Sequence, residues 1–463
     1  MLHTKIPQIE EIVEEAINQA SLSGEPQFIS IVNQIDYTDS IAFLDRASQI
    51  DQHRLFWRSA DEEFTLVGVG STKKILSSNA HRFNEIEAVW NEIQQKANVY
   101  DILHEKGTGL VSIGGFSFDT EQENGKPWEG FPDSQMTIPM YLLTNKSDQS
   151  FLTTNILILK EDHKQQIVHQ IRRDHEQLLF GERQELKLPT CIGRSDVEPD
   201  EWKAIVEQAT SDIKDKELEK VVLAREVRIT FSEDVELAAV IERLCETQMN
   251  SYIFTFESGG DYFVGATPER LAKVDNQELV STCLAGTIPR GQDVDEDREL
   301  GEQLLNDPKN RQEHEFVVQM IREAVEACCY NVTIPEEPIV YPLRNLQHLY
   351  TPVTATLEKG YTLLDVVARL HPTPALGGLP QQTSVDYIRK REVLNRGWYA
   401  GPIGWFDGKN NGEFAVAIRS ALLQKKAASL FAGCGVVEDS DPDAEFAETG
   451  VKLKPMLSAL GGY

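Results

Sequence analysis

Beyond Pro199 the chain alternates short apolar runs of strand length with amphipathic segments of helical period, and it does so to its C terminus. That alternation constrains the fold more than any other feature: the class is α/β or α+β rather than all-helical. Residues 28–80 read as short strands with turns, including the apolar run Phe64-Thr65-Leu66-Val67-Gly68-Val69-Gly70. Phe83, Ile86, Val89, Trp90 and Ile93 recur at helical spacing, and a second β-like block runs from Leu110 to Leu159. Residues 161–187 are polar with leucines and isoleucines at helical spacing, ending near Pro189. We place a boundary there, between an N-terminal region (1–190) and a catalytic region (199–457). The two are expected to pack into one sandwich, so the division describes the sequence rather than two separate bodies. Phe56-Trp57 and Gly114-Gly115-Phe116-Ser117-Phe118 in the first region read as packing motifs.

A hydrophobic fraction of 41% in 463 residues supplies a large core. Against 45 Lys+Arg stand 74 Asp+Glu, a formal charge of −29. Such a surface repels phosphate backbones and anionic lipid, which excludes a general nucleic-acid or membrane-surface role. A small anionic ligand stays open, because a pocket can be locally positive. No window reaches the ~18 apolar residues of a membrane span, and the first residues lack the pattern of a secretory leader. None of the six cysteines forms a C-x-x-C, and Cys328-Cys329 lies in a helical pattern, which argues against zinc and disulfide frameworks. The expectation is a soluble, cytoplasmic protein.

Four segments carry candidate chemistry. Residues 218–227 read as a buried strand with Lys220, Val222 and Ala224 on one face. Desolvation there disfavours an ammonium and favours a neutral amine that can act as a base; a lysine reaching water from a strand end is the plainer alternative. Asp261 to Leu271 reads as a strand entering a Thr-Pro turn, with Glu269 at the edge of the apolar run. A carboxyl there can keep its proton and serve as an acid, or simply pair with Arg270 at the surface. From Lys309 a helix is expected whose apolar stripe holds Phe316, Val317, Met320, Ile321, Ala324, Val325 and Cys328, with Glu313 on the stripe. A core-facing carboxylate needs a partner, and a cation is one; favour from the helix dipole is the other reading. Last, Asp441 and Pro442 are a good N-cap and first residue for a helix aligning Glu445, Glu448 and Lys452. Its oxygen-only ligands suit Mg²⁺ if Glu313 faces it, while Gly433 and Gly435 upstream let backbone N–H groups approach an anion.

In order, Lys220-Val-Val-Leu-Ala-Arg225, Gly265-Ala-Thr-Pro-Glu-Arg270, Leu284-Ala-Gly-Thr287, Glu313-His314, Gln347-His348-Leu349 and Glu445-Phe-Ala-Glu-Thr449 with Lys452 resemble the chorismate-utilising enzyme family over residues 199–457. The resemblance implies a large two-layered sandwich of mixed or antiparallel sheets with outer helices, and Mg²⁺ dependence. It places Lys220 as general base and Glu269 as general acid, with Glu313 and Glu448 as metal ligands and Glu445 as a possible outer one. Gly286, Thr287, His348, Tyr399, Arg419, Gly433 and Lys452 match substrate-binding positions.

Ala285 stands where aminodeoxychorismate synthases place a nucleophilic lysine, and His371-Pro-Thr-Pro-Ala-Leu-Gly-Gly378 has the isochorismate synthase form. The resemblance is closest to isochorismate synthases of the menaquinone pathway. It implies a cytoplasmic isomerase acting on chorismate, with no obligatory protein partner and a monomeric or weakly dimeric state. Salicylate synthase, anthranilate synthase large subunit, and a catalytically inactive relative serving as a binding module are the competing readings. With a dianionic substrate and a charge of −29, capture falls to local cations: the metal, Arg419, Lys452 and Lys454.

Overall fold

The computed structural model describes residues 9–51, 53–122, 125–216, 218–342 and 346–462. Among them two large sheets form, of 13 and 10 strands. In the larger, Lys220–Phe231 pairs with Ala427–Val436, followed by Ser420–Gln424, Asp261–Thr267 and Tyr252–Ser258. Arg54–Arg58, Phe64–Val69, Tyr141–Lys146, Gln149–Ile158 and Gln27–Ile35 continue it. The smaller sheet runs from Cys329–Thr333 and Leu346–Leu357 through Glu278–Pro289, Arg270–Asp275, Gly412–Val416 and Pro402–Asp407 to Val111–Phe116. Nearly all pairing is antiparallel; Gln27–Ile35 with Asn98–Tyr100 is parallel.

Strands from before residue 190 enter both sheets. Arg54–Arg58 pairs with Tyr252–Ser258 in one, and Val111–Phe116 with Pro402–Asp407 in the other. The largest apolar cluster draws on both sheets, with Phe254 and Phe263 from the larger, Trp405 and Phe414 from the smaller, and Trp128 and Trp398 among them. The Trp128 ring stacks on Phe431 with centroids 5.4 Å apart. The first eight residues of Lys220–Phe231 are buried on both faces, so Val221-Val222-Leu223-Ala224 is a continuous apolar run, and burial alternates only from Arg228 onward. Helices Pro199–Lys214, Leu237–Thr247 and Pro442–Ala459 pack on the larger sheet, and Pro308–Glu326 and Leu363–Leu370 on the smaller. No described helix is long and apolar enough to cross a membrane.

Three expectations need correction. Ser40–Ala47, inside the stretch read as strands and turns, is a helix capped by Asp39; its run Ile41-Ala42-Phe43-Leu44 is buried throughout and so shows no helical period. In Pro308–Glu326 the buried stripe is His314, Val317, Val318, Ile321 and Val325, whereas Phe316 is 44% exposed. The stripe is rotated because His314 finds polar partners inside the protein. Cys328-Cys329 is not within a helix: Cys328 lies in the turn after that helix and Cys329 opens the strand Cys329–Thr333.

Candidate active site

The chain crosses between the sheets at two neighbouring places. The strand Asp261–Thr267 belongs to the larger sheet and Arg270–Asp275 to the smaller, which puts Pro268 and Glu269 at the crossing. Val416 N–H donates to the Glu269 carbonyl at 3.0 Å, tying this turn to the second crossing. There the chain returns from Gly412–Val416 to Ser420–Gln424, and Arg419 sits in left-handed backbone with φ of 50°. A cavity of about 300 Å³ opens between these turns. Every site residue expected from the sequence lines it: Lys220, Glu269, Gly286, Thr287, Glu313, His348, Tyr399, Arg419, Gly433, Glu445, Glu448 and Lys452. Lys454, expected among the capturing cations, does not: its side chain is on the exposed side of the helix.

Lys220 opens its strand and its Nζ donates to Glu313 Oε1 at 2.5 Å. The sequence prepares its path, since a Cβ on Gly435, opposite Val222, would stand 2.7 Å from Lys220 Cε. The space left by that glycine is thus filled by the lysine stem, not by an anion, as its spacing had suggested. Glu269 lines the cavity, its carboxyl making no hydrogen bond or ion pair to a described residue. Burial pushes its carboxyl up to about 7, against the pull of Arg419, Lys452 and Lys220. A lysine paired with Glu313 and a carboxyl that burial holds towards its protonated form therefore line one cavity.

The anion-binding side is equally specific. The Arg419 guanidinium makes no hydrogen bond or ion pair to any described residue, so its donors are available to a ligand. Burial lowers its pKa from the ordinary arginine value, while Tyr399, Glu269 and Glu448 pull it the other way. Tyr399 lies alongside, 4% exposed, its phenol held neutral by burial. His348 Nδ1 lies 3.2 Å from the Gly286 carbonyl and 2.9 Å from Thr287 Oγ1. A carbonyl can only accept, so Nδ1 carries the proton and the unpartnered Nε2 carries the lone pair. Burial, with Arg419 and Lys452 nearby, brings this imidazole down to about 3, leaving it neutral. Gly286 has φ of 78°, a left-handed turn that its missing side chain permits and that presents this carbonyl to the ring.

Glu445, Glu448 and Lys452 share one side of Pro442–Ala459, whose first turn is capped by Asp441 as expected. Lys452 Nζ bridges Glu448 Oε1 at 2.7 Å and the Gly433 carbonyl at 3.0 Å. Ser440 Oγ donates to Glu445 Oε1 at 2.7 Å, but Glu445 Oε2 is buried without a partner. Among the described residues no group of three or more His, Cys, Asp or Glu side chains is placed to hold a metal ion. An open set of carboxylates with one orphaned oxygen suits a hard cation that keeps water or ligand oxygens in its shell, as Mg²⁺ does.

Sequence reasoning missed Asn310 and Arg396 on the cavity wall. Asn310 Oδ1 accepts from the Thr287 N–H at 3.2 Å and supports the turn behind His348. Its signal was available, since Asp307 caps the helix and Asn310 is the residue that cap accepts from. Arg396 carried no such signal.

The chain matches the "Chorismate binding enzyme" family model over residues 15–461, and it belongs to that family. It is 39% identical over 453 residues to the isochorismate synthase MenF of Bacillus subtilis, covering 96% of each chain. It is 34% identical to the salicylate biosynthesis isochorismate synthase of Pseudomonas aeruginosa, covering 97% of this chain and 94% of that one. The solved structure of the menaquinone-specific isochorismate synthase MenF of Escherichia coli matches with a TM-score of 0.79 at 24% identity, over 97% of this chain and 99% of that one. That match establishes the fold.

Proposed function

We propose that this protein is an isochorismate synthase: an isomerase that adds water at C2 of chorismate and releases the C4 hydroxyl as water, at the first step towards menaquinone. Its near full-length likeness to isochorismate synthases supports the activity. The observation that carries the chemistry is the enclosed Glu269, whose carboxyl is pushed up to about 7 in the same cavity as the Lys220 amine. A reaction that takes a proton from one oxygen and gives one to another needs such a pair.

In this reading Lys220 takes a proton from the water that attacks C2, and Glu269 gives one to the departing C4 oxygen. The ring double bonds shift between the two events. Arg419 grips the enolpyruvyl carboxylate with its free fork, and Tyr399 and the Gly433 backbone line the same end. His348 accepts from a ring hydroxyl through Nε2, its tautomer held by Gly286 and Thr287. Glu313 and Glu448, with Glu445 behind them, would hold Mg²⁺ against the ring carboxylate. When bound, the ion supplies Lewis-acid charge stabilisation.

Charge at the site runs opposite to that of the whole molecule. Lys220, Lys309, Arg396, Arg419 and Lys452 line the cavity with four glutamates, one of which keeps its proton near neutrality. Every group named belongs to this chain. The reading places the enzyme in the cytoplasm.

Incubation with chorismate and Mg²⁺, with and without ammonia, followed by chromatographic separation, tests the proposal. Isochorismate alone is expected in both mixtures. Salicylate, or anthranilate on adding ammonia, would overturn it.

A further inference from the structure

The strand that carries Lys220 has a gap along one edge. On that edge Lys220 and Val221 pair with Leu379 and Gly378, and residues 227–231 pair with Cys191–Asp196. Between the two contacts no strand among the described residues covers it. Of the backbone groups along the gap, the Val222 N–H donates to the Gly377 carbonyl at 3.1 Å and the Glu226 carbonyl accepts from the Val197 N–H at 3.1 Å. The Val222 carbonyl and the Ala224 N–H are met by two side chains, Arg396 and Glu392, each side chain 1% exposed and paired with the other. Arg396 Nη2 donates to the Val222 carbonyl at 2.7 Å, and Glu392 Oε1 accepts from the Ala224 N–H at 2.6 Å. Arg396 also donates from Nε to Glu392 Oε2 at 2.8 Å and from Nη1 to the Leu376 carbonyl at 3.0 Å. Although Arg396 lines the cavity, its donors are committed to protein, in contrast to those of Arg419.

The pair is braced by the N-terminal region. The Phe118 ring lies under the Arg396 guanidinium at 4.3 Å. Phe118 N–H donates to the Gly397 carbonyl at 2.7 Å, and its own carbonyl lies 3.0 Å from His371 Nε2. Next to it, Asp119 takes two bonds from Arg389, at 2.6 and 3.1 Å. Arg389 lies on the helix Gln381–Arg391, whose Ser384 donates to the Lys220 carbonyl at 3.0 Å.

We propose that Glu392 and Arg396 are positioning residues for Lys220: a buried ion pair that stands in for a missing strand segment and is braced by Phe118. This rests on the reading of Lys220 as the base, and gives the N-terminal region a part in the reaction. An unpaired strand edge inside the protein leaves polar groups unsatisfied, and the pair supplies two of those partners. Lysine cannot reproduce a fork that serves Glu392, Val222 and Leu376 together.

Arg396→Lys tests the proposal in the full-length enzyme. Misplacing the base should lower kcat about 10- to 100-fold. KM for chorismate should move less than about twofold, as for a lost transition-state contact. Hydrogen exchange of the Val222–Ala224 amides should accelerate while the remainder of the larger sheet keeps its protection. Phe118→Leu, which keeps an apolar side chain there, should shift kcat and exchange in the same directions by less, and covers the case in which Arg396→Lys does not fold. A raised KM with kcat retained would make Arg396 a substrate contact and overturn the proposal. Unchanged exchange at these amides would also overturn it. Exchange is read whether or not wild type makes isochorismate, so failure of the functional reading is told apart from failure of this one.

Discussion

Replacing Glu269 by glutamine should stabilise the fold and stop the reaction together. Burial raises this carboxyl from 4.5 to about 7. A group bound more tightly to its proton in the folded state favours folding fully below its unfolded pKa. That contribution is lost as pH rises through the folded value. At about 1.4 kcal/mol per pH unit, the wild type forfeits up to about 3 kcal/mol between pH 4.5 and 7, and glutamine forfeits none. Some of this is offset because the carboxyl meets solvent in the cavity, so about 2 kcal/mol is a fair expectation. The assay is urea unfolding of both proteins at half-unit steps from pH 4.5 to 8.5. The stability difference should tilt towards the variant up to neutrality and then level off. Turnover should fall to background at every pH, and wild-type kcat/KM should decline above about pH 7 as the acid loses its proton. A stability difference flat across the range would refute the reasoning, because the carboxyl would then be ionised at no cost.

Other expectations follow from the same geometry. Lys220→Ala should remove turnover by about a thousandfold or more while circular dichroism stays that of wild type; retained turnover would remove it as the base. Glu313→Gln should raise the Mg²⁺ concentration for half-maximal activity about tenfold or more, and an unchanged metal titration would strike it from the ligands. Gly435→Ala, whose Cβ would meet Lys220 Cε at 2.7 Å, should cut kcat with little change in unfolding midpoint, because it displaces a flexible stem.

Part of the site was legible in the sequence because its groups lie in short local motifs, while Gly286, Thr287, His348, Tyr399 and Arg419 were placed by the family resemblance alone. Thr267-Pro268-Glu269 and the Asp441 cap each place a functional group within a few residues of the turn or helix end that aims it. Arg396, Glu392 and Phe118 were illegible for the opposite reason. Arg396 and Glu392 act on Val222 and Ala224, about 170 residues away in the chain, and Phe118 acts through Arg396, so no period or motif reports what lies opposite. Phe118 looked like core, and its ring is buried as core; only the guanidinium above it sets it apart. Strand pairing hid for the same reason. Nothing in Arg54–Arg58 says that its neighbour is Tyr252–Ser258, because alternation fixes a face and not a partner. Where two faces are both buried, as in Ser40–Ala47, even the period disappears.

Incubation in H₂¹⁸O asks the central question, whether solvent water is added at C2 while the C4 oxygen leaves. Isochorismate isolated after one turnover and analysed by mass spectrometry should carry a single ¹⁸O, at C2. A product without label would mean that the hydroxyl migrates within the substrate, and would contradict the water-activating role given to Lys220.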